Sequence, residues 1–273
     1  MSHEDPKGPI FIGGAARSGT TLMRVMLDAH RHICCGPEMK LMANLADLYQ
    51  QLAAGWLTRI MESYHNTPDD VRSCFRGLIS GLMANSCKAV GKLRWAEKTP
   101  NNVMQMLALG DLFPEARFIH ILRDGRDVAC SLIRMEWVEG TTREKVDYTQ
   151  SISNAAQYWN KVVRWAREQM MHPSLAGRVI EVRYESLVAD PEGNMREVLR
   201  MLEEPWDPAV LLPHLKDRTE EARESSTDAV SEPIYTKAVG RWQTEMTPRD
   251  KAAFKVEAGV LLTELGYAQS DYW

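Results

Sequence analysis

The chain has 273 residues, of which 26% are charged, and its formal net charge is −4. This length suits one α/β domain with a substantial core, and we expect a single domain over residues 1–273 with a flexible tail at 1–8. The charge balance argues against a general attraction to nucleic acid or anionic membranes, so any basic site must be local.

The first nine residues, MSHEDPKGP, are polar and partly acidic, without the basic start and apolar run of a signal peptide. No later segment is apolar over the length that crosses a bilayer. We therefore expect a cytosolic protein that does not bind membranes. The five cysteines lack C-x-x-C spacing and predict buried thiols rather than a disulfide framework or a metal site.

The most informative stretch is 9–24, PIFIGGAARSGTTLMR, which predicts a buried strand, a glycine-rich turn and then an amphipathic helix with Ser18 as its N-cap. Successive backbone N–H groups in such a turn point at one spot, where the helix dipole also favours an anion. A glycine-rich turn can also be only a tight connection. The strand before it and the helix after it favour the anion site here.

The same turn departs from the loop of nucleotide triphosphatases. Gly14 to Thr21 nearly fits G-x-x-x-x-G-K-[ST], but Thr20 stands where those enzymes have the lysine that reaches the β- and γ-phosphates. We therefore expect a phosphate ligand that is not simply ATP cleaved at the γ position. Arg17, Thr20 and Thr21 remain as side-chain donors.

Further along, strands alternate with helices, which predicts a parallel, doubly wound sheet that binds ligands at the carboxyl ends of its strands. The polar run at 217–228, DRTEEARESSTD, reads as a surface loop or a solvated helix end. The remaining predicted elements are helices at 39–64 and 68–90, a strand at 117–122, a helix from about Asp127, a helix at 145–171, a strand at 178–184 and a helix at 248–265.

A second anion site is predicted where the strand at 117–122 ends. Arg123 follows that strand and Ser131 lies on the next helix, and an arginine fork with a hydroxyl suits a phosphate monoester. In isolation, the charges of RDGRD would be expected only to pair with one another at the surface. Two anion-binding turns in one sheet favour the second site.

These motifs resemble sulfotransferases that use 3′-phosphoadenosine 5′-phosphosulfate (PAPS), and the likeness is closest to tyrosylprotein sulfotransferases. ARSGTTLMR matches the family's turn for the 5′-phosphosulfate, and RDGRDVACS matches its turn for the 3′-phosphate. The resemblance also includes CGPE, EKTP, RYE and SSTD with a downstream RW, and it runs from about Pro9 to Trp242. It implies the P-loop sulfotransferase fold, PAPS as cosubstrate, 3′,5′-adenosine bisphosphate (PAP) as product, and no metal.

The resemblance also implies which residues contact the nucleotide. Its 5′ end would be held by Arg17, Ser18, Gly19, Thr20 and Thr21, and its 3′-phosphate by Arg123 and Ser131. Two further residues, Arg183 and Tyr184, would lie near the nucleotide, and Ser226 and Arg241 would close over it.

The same likeness implies catalytic roles. Glu38 corresponds to the general base that takes the proton of the acceptor hydroxyl. Lys98, helped by Arg17, corresponds to the group that stabilises negative charge on the bridging oxygen. Without the resemblance, Glu38 would be a charge at the start of a helix near residue 39, and Lys98 an exposed lysine paired with its neighbour. We expect Lys98 in a loop, because a proline follows two residues later.

The chain departs from the tyrosylprotein pattern around the acceptor. Lys40 stands where those enzymes have an arginine that helps bind the acidic peptide, and Ala96 replaces a cysteine that would pair with Cys35. Lys40 and Arg59 are the only candidates for a basic rim. Peptidyl tyrosine is the first expectation for the acceptor, and a small phenolic, alcoholic or carbohydrate metabolite is the alternative. Two alternative functions stay open: a P-loop small-molecule kinase and a nucleotide-binding scaffold without catalysis. A homodimer is a further possibility for the oligomeric state.

Overall fold

The fold is built on one parallel sheet. The computed structural model describes residues 7–55, 57–139, 142–219, 221–270 and 273, so most of the predicted tail at 1–8 lies outside the described residues. The strands pair in the order β2-β3-β1-β4-β5 and all pairings are parallel, which confirms the predicted doubly wound sheet. The strands are β1 (Ile10–Gly14), β2 (Ile33–Cys34), β3 (Arg94–Lys98), β4 (Arg117–Leu122) and β5 (Val179–Arg183).

Helices lie on both faces of this sheet. Within the described ranges they are α1 (Thr20–Ala29), α2 (Met42–Ala53), α3 (Thr58–Ser63), α4 (Pro68–Ala89), α5 (Met106–Leu112), α6 (Gly125–Leu132), α7 (Ile152–Met170), α8 (Tyr184–Ala189), α9 (Pro191–Met201), α10 (Thr227–Val230), α11 (Trp242–Glu245) and α12 (Pro248–Glu264). Short 3-10 helices at 100–104, 147–149, 173–175, 208–211 and 213–215 connect them.

The sheet separates two hydrophobic clusters, because successive residues of a strand point to opposite faces. Phe11 of β1 and Phe118 of β4 pack with Trp159 of α7 on one face. Ile10 and Ile12 of β1 pack against α1, α8 and α9 on the other. Burial on both faces explains why β1 has no polar side chain and why four of the six residues of β4 are apolar.

The sequence did not predict two of the strands. β2 has only two residues, and β3 is RWAEK, whose charged ends do not resemble a buried strand. Both ends of β3 are nevertheless buried, because Arg94 pairs with Glu204 at 3.0 Å and Lys98 pairs with two carboxylates. The prediction that Lys98 lies in a loop is therefore wrong: it is the last residue of β3.

Several helix starts also differ from the predicted ones. Ser18 does not cap α1; Gly19 holds that position with φ of 100°, a left-handed conformation that costs glycine little. α7 begins at Ile152 because Ser151 caps it, accepting a hydrogen bond from the Asn154 N–H at 3.1 Å. α6 begins two residues before the predicted start, with Asp124 as its cap. The segment 39–64 is divided between α2 and α3.

All five cysteines carry free thiols, and four of them are buried as predicted, with Cys74 exposed. Among the described helices, none combines the length and the apolar character needed to span a bilayer.

Candidate active site

A cavity of about 1130 Å³ opens at the carboxyl ends of the central strands, where ligands bind in sheets of this type. The loops that follow β1, β4 and β5 meet there. Most of the residues predicted to form the site line the cavity: Arg17, Gly19, Thr20, Thr21, Glu38, Lys40, Arg123, Ser131, Tyr184, Ser226 and Arg241. Ser18 and Lys98 are buried directly behind its wall.

The loop between β1 and α1 is shaped to receive an anion. Among the described residues no side chain caps α1, and its first turn has no acidic residue, so the first N–H groups and the positive dipole end are left for a ligand. A Cβ at Gly19 would lie 2.3 Å from the Tyr184 ring, so only glycine fits between the helix start and that ring. The Ser18 hydroxyl oxygen is buried and has no hydrogen-bond partner within the described chain.

Three arginines converge on the cavity next to this loop. Arg17 donates from Nε to Ser131 Oγ at 3.0 Å and from Nη1 to Ser226 Oγ at 2.8 Å. Burial lowers the pKa of Arg17, and the nearby charges of Arg123 and Arg241 lower it further. Like charges held together in a partly buried place favour binding of an anion that would relieve their repulsion.

Arg123 holds the second predicted anion turn. Its guanidinium donates to the Arg17 carbonyl at 3.0 Å and to the Ala238 carbonyl, and lies 4.5 Å from the centre of the Tyr184 ring. Its Nε has no partner within the described part of the chain, although it is buried. Self-pairing within RDGRD is strongest for the other arginine, Arg126, which forms a salt bridge with Asp124 at 2.7 Å. The Nε–H of Arg123 is thus available to a ligand in the cavity.

A buried lysine, Lys98, and a half-buried glutamate, Glu38, form an ion pair at the cavity wall. Lys98 Nζ lies 2.5 Å from Glu38 Oε1 and 3.2 Å from Thr21 Oγ1, and the lysine side chain is fully buried. Neither local alternative holds. α2 begins at Met42, so Glu38 caps no helix, and the hydrogen bonds of Glu97 come instead from Thr99, Asn102 and the Met39 N–H.

Sequence reasoning missed Glu224. We call residues 221–230 the lid segment, since Ser225 and Ser226 within it bind Arg17 across the cavity. Glu224 belongs to this segment, yet its side chain is only 10% exposed and touches Lys98, where a surface loop was expected. Nothing in a polar run rich in glutamate distinguishes this one carboxylate before the chain is folded.

The part of the cavity lined by Glu38, Trp137, Tyr148 and Tyr158, which we call the acceptor half, has an aromatic wall that the sequence did not predict. Tyr148 and Tyr158 stack with ring centres 4.1 Å apart, and Trp137 meets Tyr148 edge-on at 6.4 Å. The Tyr158 hydroxyl accepts a hydrogen bond from the Ala16 N–H at 2.9 Å, which ties the wall to the anion loop. Burial raises the pKa of Tyr148, and so do the charges of Glu139 and Glu38.

The rim of this half is not basic. Lys40 lines it, together with the exposed carboxylates Glu136 and Glu139. Glu136 pairs with Lys145 at 2.9 Å, and Lys40 and Glu139 are charges of opposite sign in the cavity lining. Arg59 is exposed on α3 and is not part of the cavity lining.

Arg183 is the predicted site residue that the fold directs elsewhere. Its Nη2 donates to the Leu265 carbonyl at 2.7 Å, and its guanidinium lies 4.8 Å from the centre of the Tyr267 ring. These contacts join the end of β5 to the residues that directly follow α12, and Arg183 is not part of the cavity lining.

One group of described residues brings metal-ligating atoms close together: His30, His32 and Glu204. The ring nitrogens of His30 already bind the Pro205 carbonyl at 2.9 Å and the His32 N–H at 3.1 Å. Glu204 is neutralised by Arg94 at 3.0 Å. The group therefore stabilises the turn between α1 and β2, and its residues are not part of the cavity lining.

Comparison with known proteins agrees with this geometry. Residues 9–208 match the model of the Sulfotransferase family. The chain is 31% identical over 270 residues to the protein-tyrosine sulfotransferase of Drosophila melanogaster, covering 94% of this chain and 51% of that protein, so it spans about half of that relative. It is 30% identical over 266 residues to protein-tyrosine sulfotransferase 1 of Danio rerio, covering 94% of this chain and 72% of the relative.

Solved structures share the fold. The sulfotransferase domain from the curacin biosynthetic pathway has a TM-score of 0.66 at 22% identity, covering 96% of this chain and 98% of that one. A mouse sulfotransferase in complex with PAP has a TM-score of 0.56 at 14% identity, covering 94% of this chain and 83% of that one.

Proposed function

The chain belongs to the sulfotransferase family, and we propose that it transfers a sulfonyl group from PAPS to the hydroxyl of a peptidyl tyrosine. The observation that carries this proposal is the Glu38–Lys98 contact of 2.5 Å. It joins a carboxylate facing the acceptor half of the cavity to a cation beside the anion loop. Thr20, in place of a Walker lysine, argues against a kinase on the same kind of sheet.

The residues present suit PAPS. The 5′-phosphosulfate end would be held by the loop from Arg17 to Thr21, where the Ser18 hydroxyl is buried without a partner. The 3′-phosphate would be held by Arg123, whose Nε is also buried without a partner among the described residues, and by Ser131. Bound there, PAPS supplies the sulfonyl group and a phosphate as its leaving group.

The chain's own residues divide the remaining work. Glu38 accepts the proton of the acceptor hydroxyl while the hydroxyl oxygen forms its bond to sulfur and the bond from sulfur to the phosphate oxygen breaks. Lys98 and Arg17 stabilise the negative charge that grows on the departing phosphate oxygen, which lowers the barrier because the charge is greatest in the transition state. Full burial of Lys98 strengthens this effect, since little water screens it.

The aromatic wall supports a phenolic acceptor. Trp137, Tyr148 and Tyr158 present ring surfaces beside Glu38, and aromatic rings pack well edge-on or offset against one another. The fly and zebrafish relatives bear the name protein-tyrosine sulfotransferase, which supports tyrosine within a peptide. The mixed charges of the rim, Lys40 against Glu139, favour a tyrosine whose neighbours are not strongly acidic.

The first experiment is calorimetric titration with PAP, AMP and ATP–Mg²⁺, followed by transfer assays with radiolabelled PAPS. We expect tight binding of PAP only, and labelling of a tyrosine peptide but not of the matching phenylalanine peptide. Preference for ATP–Mg²⁺ would contradict the choice of donor. Labelling of small phenols or sugars but of no peptide would replace peptidyl tyrosine with the metabolite alternative.

We also propose a cytosolic location, for which the free thiols give support, because disulfides persist mainly in oxidising compartments. Fractionation of the source cells tests it. The homodimer stays a prediction, and sedimentation measures it directly.

A further inference from the structure

We propose that Glu224 is a positioning residue through which the lid segment holds the Lys98 ammonium and the loop of Glu38 in their working arrangement. The proposal rests on the proposed function, since it concerns the same transfer reaction. It adds a second carboxylate to the site and assigns it a role different from that of the base.

The contacts of Glu224 show what it holds. Its Oε1 accepts the Glu38 backbone N–H at 2.7 Å, and its Oε2 lies 3.1 Å from Lys98 Nζ and 3.3 Å from Thr21 Oγ1. Arg24 of α1 adds a longer ion pair of 3.8 Å. One carboxylate thus joins the base loop, the end of β3 and the start of α1.

These contacts also argue that Glu224 is not itself the base. Both of its oxygens are occupied by donors, and its side chain is only 10% exposed. Burial alone would raise the pKa of Glu224, but the charges of Lys98 and Arg24 and the Glu38 N–H outweigh burial and lower it. A carboxylate with a lowered pKa takes up protons poorly.

Charge balance gives Glu224 its purpose. When Glu38 accepts the acceptor's proton it becomes neutral and no longer compensates Lys98, which is fully buried. A buried ammonium without a partner is costly. Glu224 keeps one negative charge beside Lys98 throughout the transfer, so the ammonium keeps a charged partner and its position while the leaving oxygen gains charge.

The position of Glu224 in the chain links this arrangement to the lid. Ser225 and Ser226, the next two residues, bind Arg17 on the nucleotide side of the cavity. When the lid segment closes over the nucleotide, it therefore also places the Glu224 carboxylate against the Lys98 ammonium. Turnover is expected to require a closed lid, whereas binding of PAP depends mainly on the arginines.

The test is Glu224→Gln, which keeps the shape but removes the charge. Loss of one hydrogen bond to a charged group predicts a fall in kcat of about 10- to 100-fold. We expect the Kd for PAP to change by less than about threefold, because the variant spares the arginines. Glu221→Gln is the matched control: Glu221 binds the same Arg24 at 2.9 Å from the same segment.

Three results would overturn the proposal. Unchanged kcat would remove Glu224 from the reaction, and tighter PAP binding with unchanged kcat would make it a competitor of the nucleotide for Thr21 and Lys98. Equal losses of kcat in the Glu221 and Glu224 variants would reduce its role to fastening the lid.

Glu224→Asp covers the case in which glutamine disturbs folding, because aspartate keeps the charge. We expect it to retain more of kcat than glutamine at equal PAP affinity; equal losses would contradict the charge argument. If peptidyl tyrosine is not the acceptor, the unmodified enzyme will not label a tyrosine peptide, and this result does not depend on the Glu224 variants. The variants are then compared in transfer from p-nitrophenyl sulfate to PAP, which needs no peptide.

Discussion

Replacing Glu38 by glutamine tests the proposed reaction most directly. Glutamine preserves the size of the side chain and an oxygen for Lys98, but it cannot take a proton. A positioned general base contributes about 10²- to 10⁴-fold to the rate, so kcat should fall by that factor, or by about 3–5 kcal/mol of barrier. The structure favours the upper part of this range, because the other carboxylate on Lys98, Glu224, has both oxygens occupied and offers no substitute base.

The assay is steady-state transfer of label from PAPS to a tyrosine peptide, with PAP affinity measured by calorimetry on the same variant. We expect PAP affinity to hold or to increase slightly, since the loss of the charge on Glu38 leaves Lys98 more available to an anion. Glu62→Gln, on the exposed face of α3, controls for the substitution itself. A kcat within tenfold of the unmodified enzyme, or a parallel collapse of PAP binding, would refute the assignment of Glu38 as base.

Three further predictions concern the nucleotide turns and the packing around α1. Arg123→Lys keeps the charge but loses the fork, so we expect PAP to bind about 10- to 100-fold more weakly while AMP is unaffected; equal losses for both ligands would contradict a 3′-phosphate role. Gly19→Ala places a Cβ 2.3 Å from the Tyr184 ring at φ of 100° and should lower the free energy of unfolding by about 1–3 kcal/mol in urea titrations. Asp28 is buried, which opposes its ionisation, but Lys216 and Lys92 outweigh burial and lower its pKa. The stabilisation of about 1–3 kcal/mol lost in Asp28→Asn should therefore be complete above the ordinary pKa of 3.8 and vanish as pH falls through the lower folded value, so a difference independent of pH would disagree.

The sequence is sufficient for the parts of the site that local chemistry determines. The sequence predicts the turns containing Gly19 and Arg123, because glycines, hydroxyl side chains and arginines directly follow apolar strands there. β3 does not, because RWAEK has charged ends, and their burial depends on partners from distant segments such as Glu204 and Glu38.

The same reason hides the other half of the site. Tyr148 and Tyr158 become a wall only when the 3-10 turn at 147–149 packs against α7. Glu224 becomes part of the site only when the lid segment crosses α1. Residues whose role comes from long-range packing leave no periodicity or motif in the sequence to reveal them.

The hydrogen bond from the Ala16 N–H to the Tyr158 hydroxyl has a consequence for how this enzyme can diversify. Because the aromatic wall is bonded to the loop that we propose to hold PAPS, a substitution at Tyr158 that admits a new acceptor is expected to disturb the binding of PAPS as well. Lys40 and Glu139 on the rim carry no such burden, since both are exposed. Changes in acceptor preference, in nature or in directed evolution, should therefore accumulate at the rim first and reach the wall last.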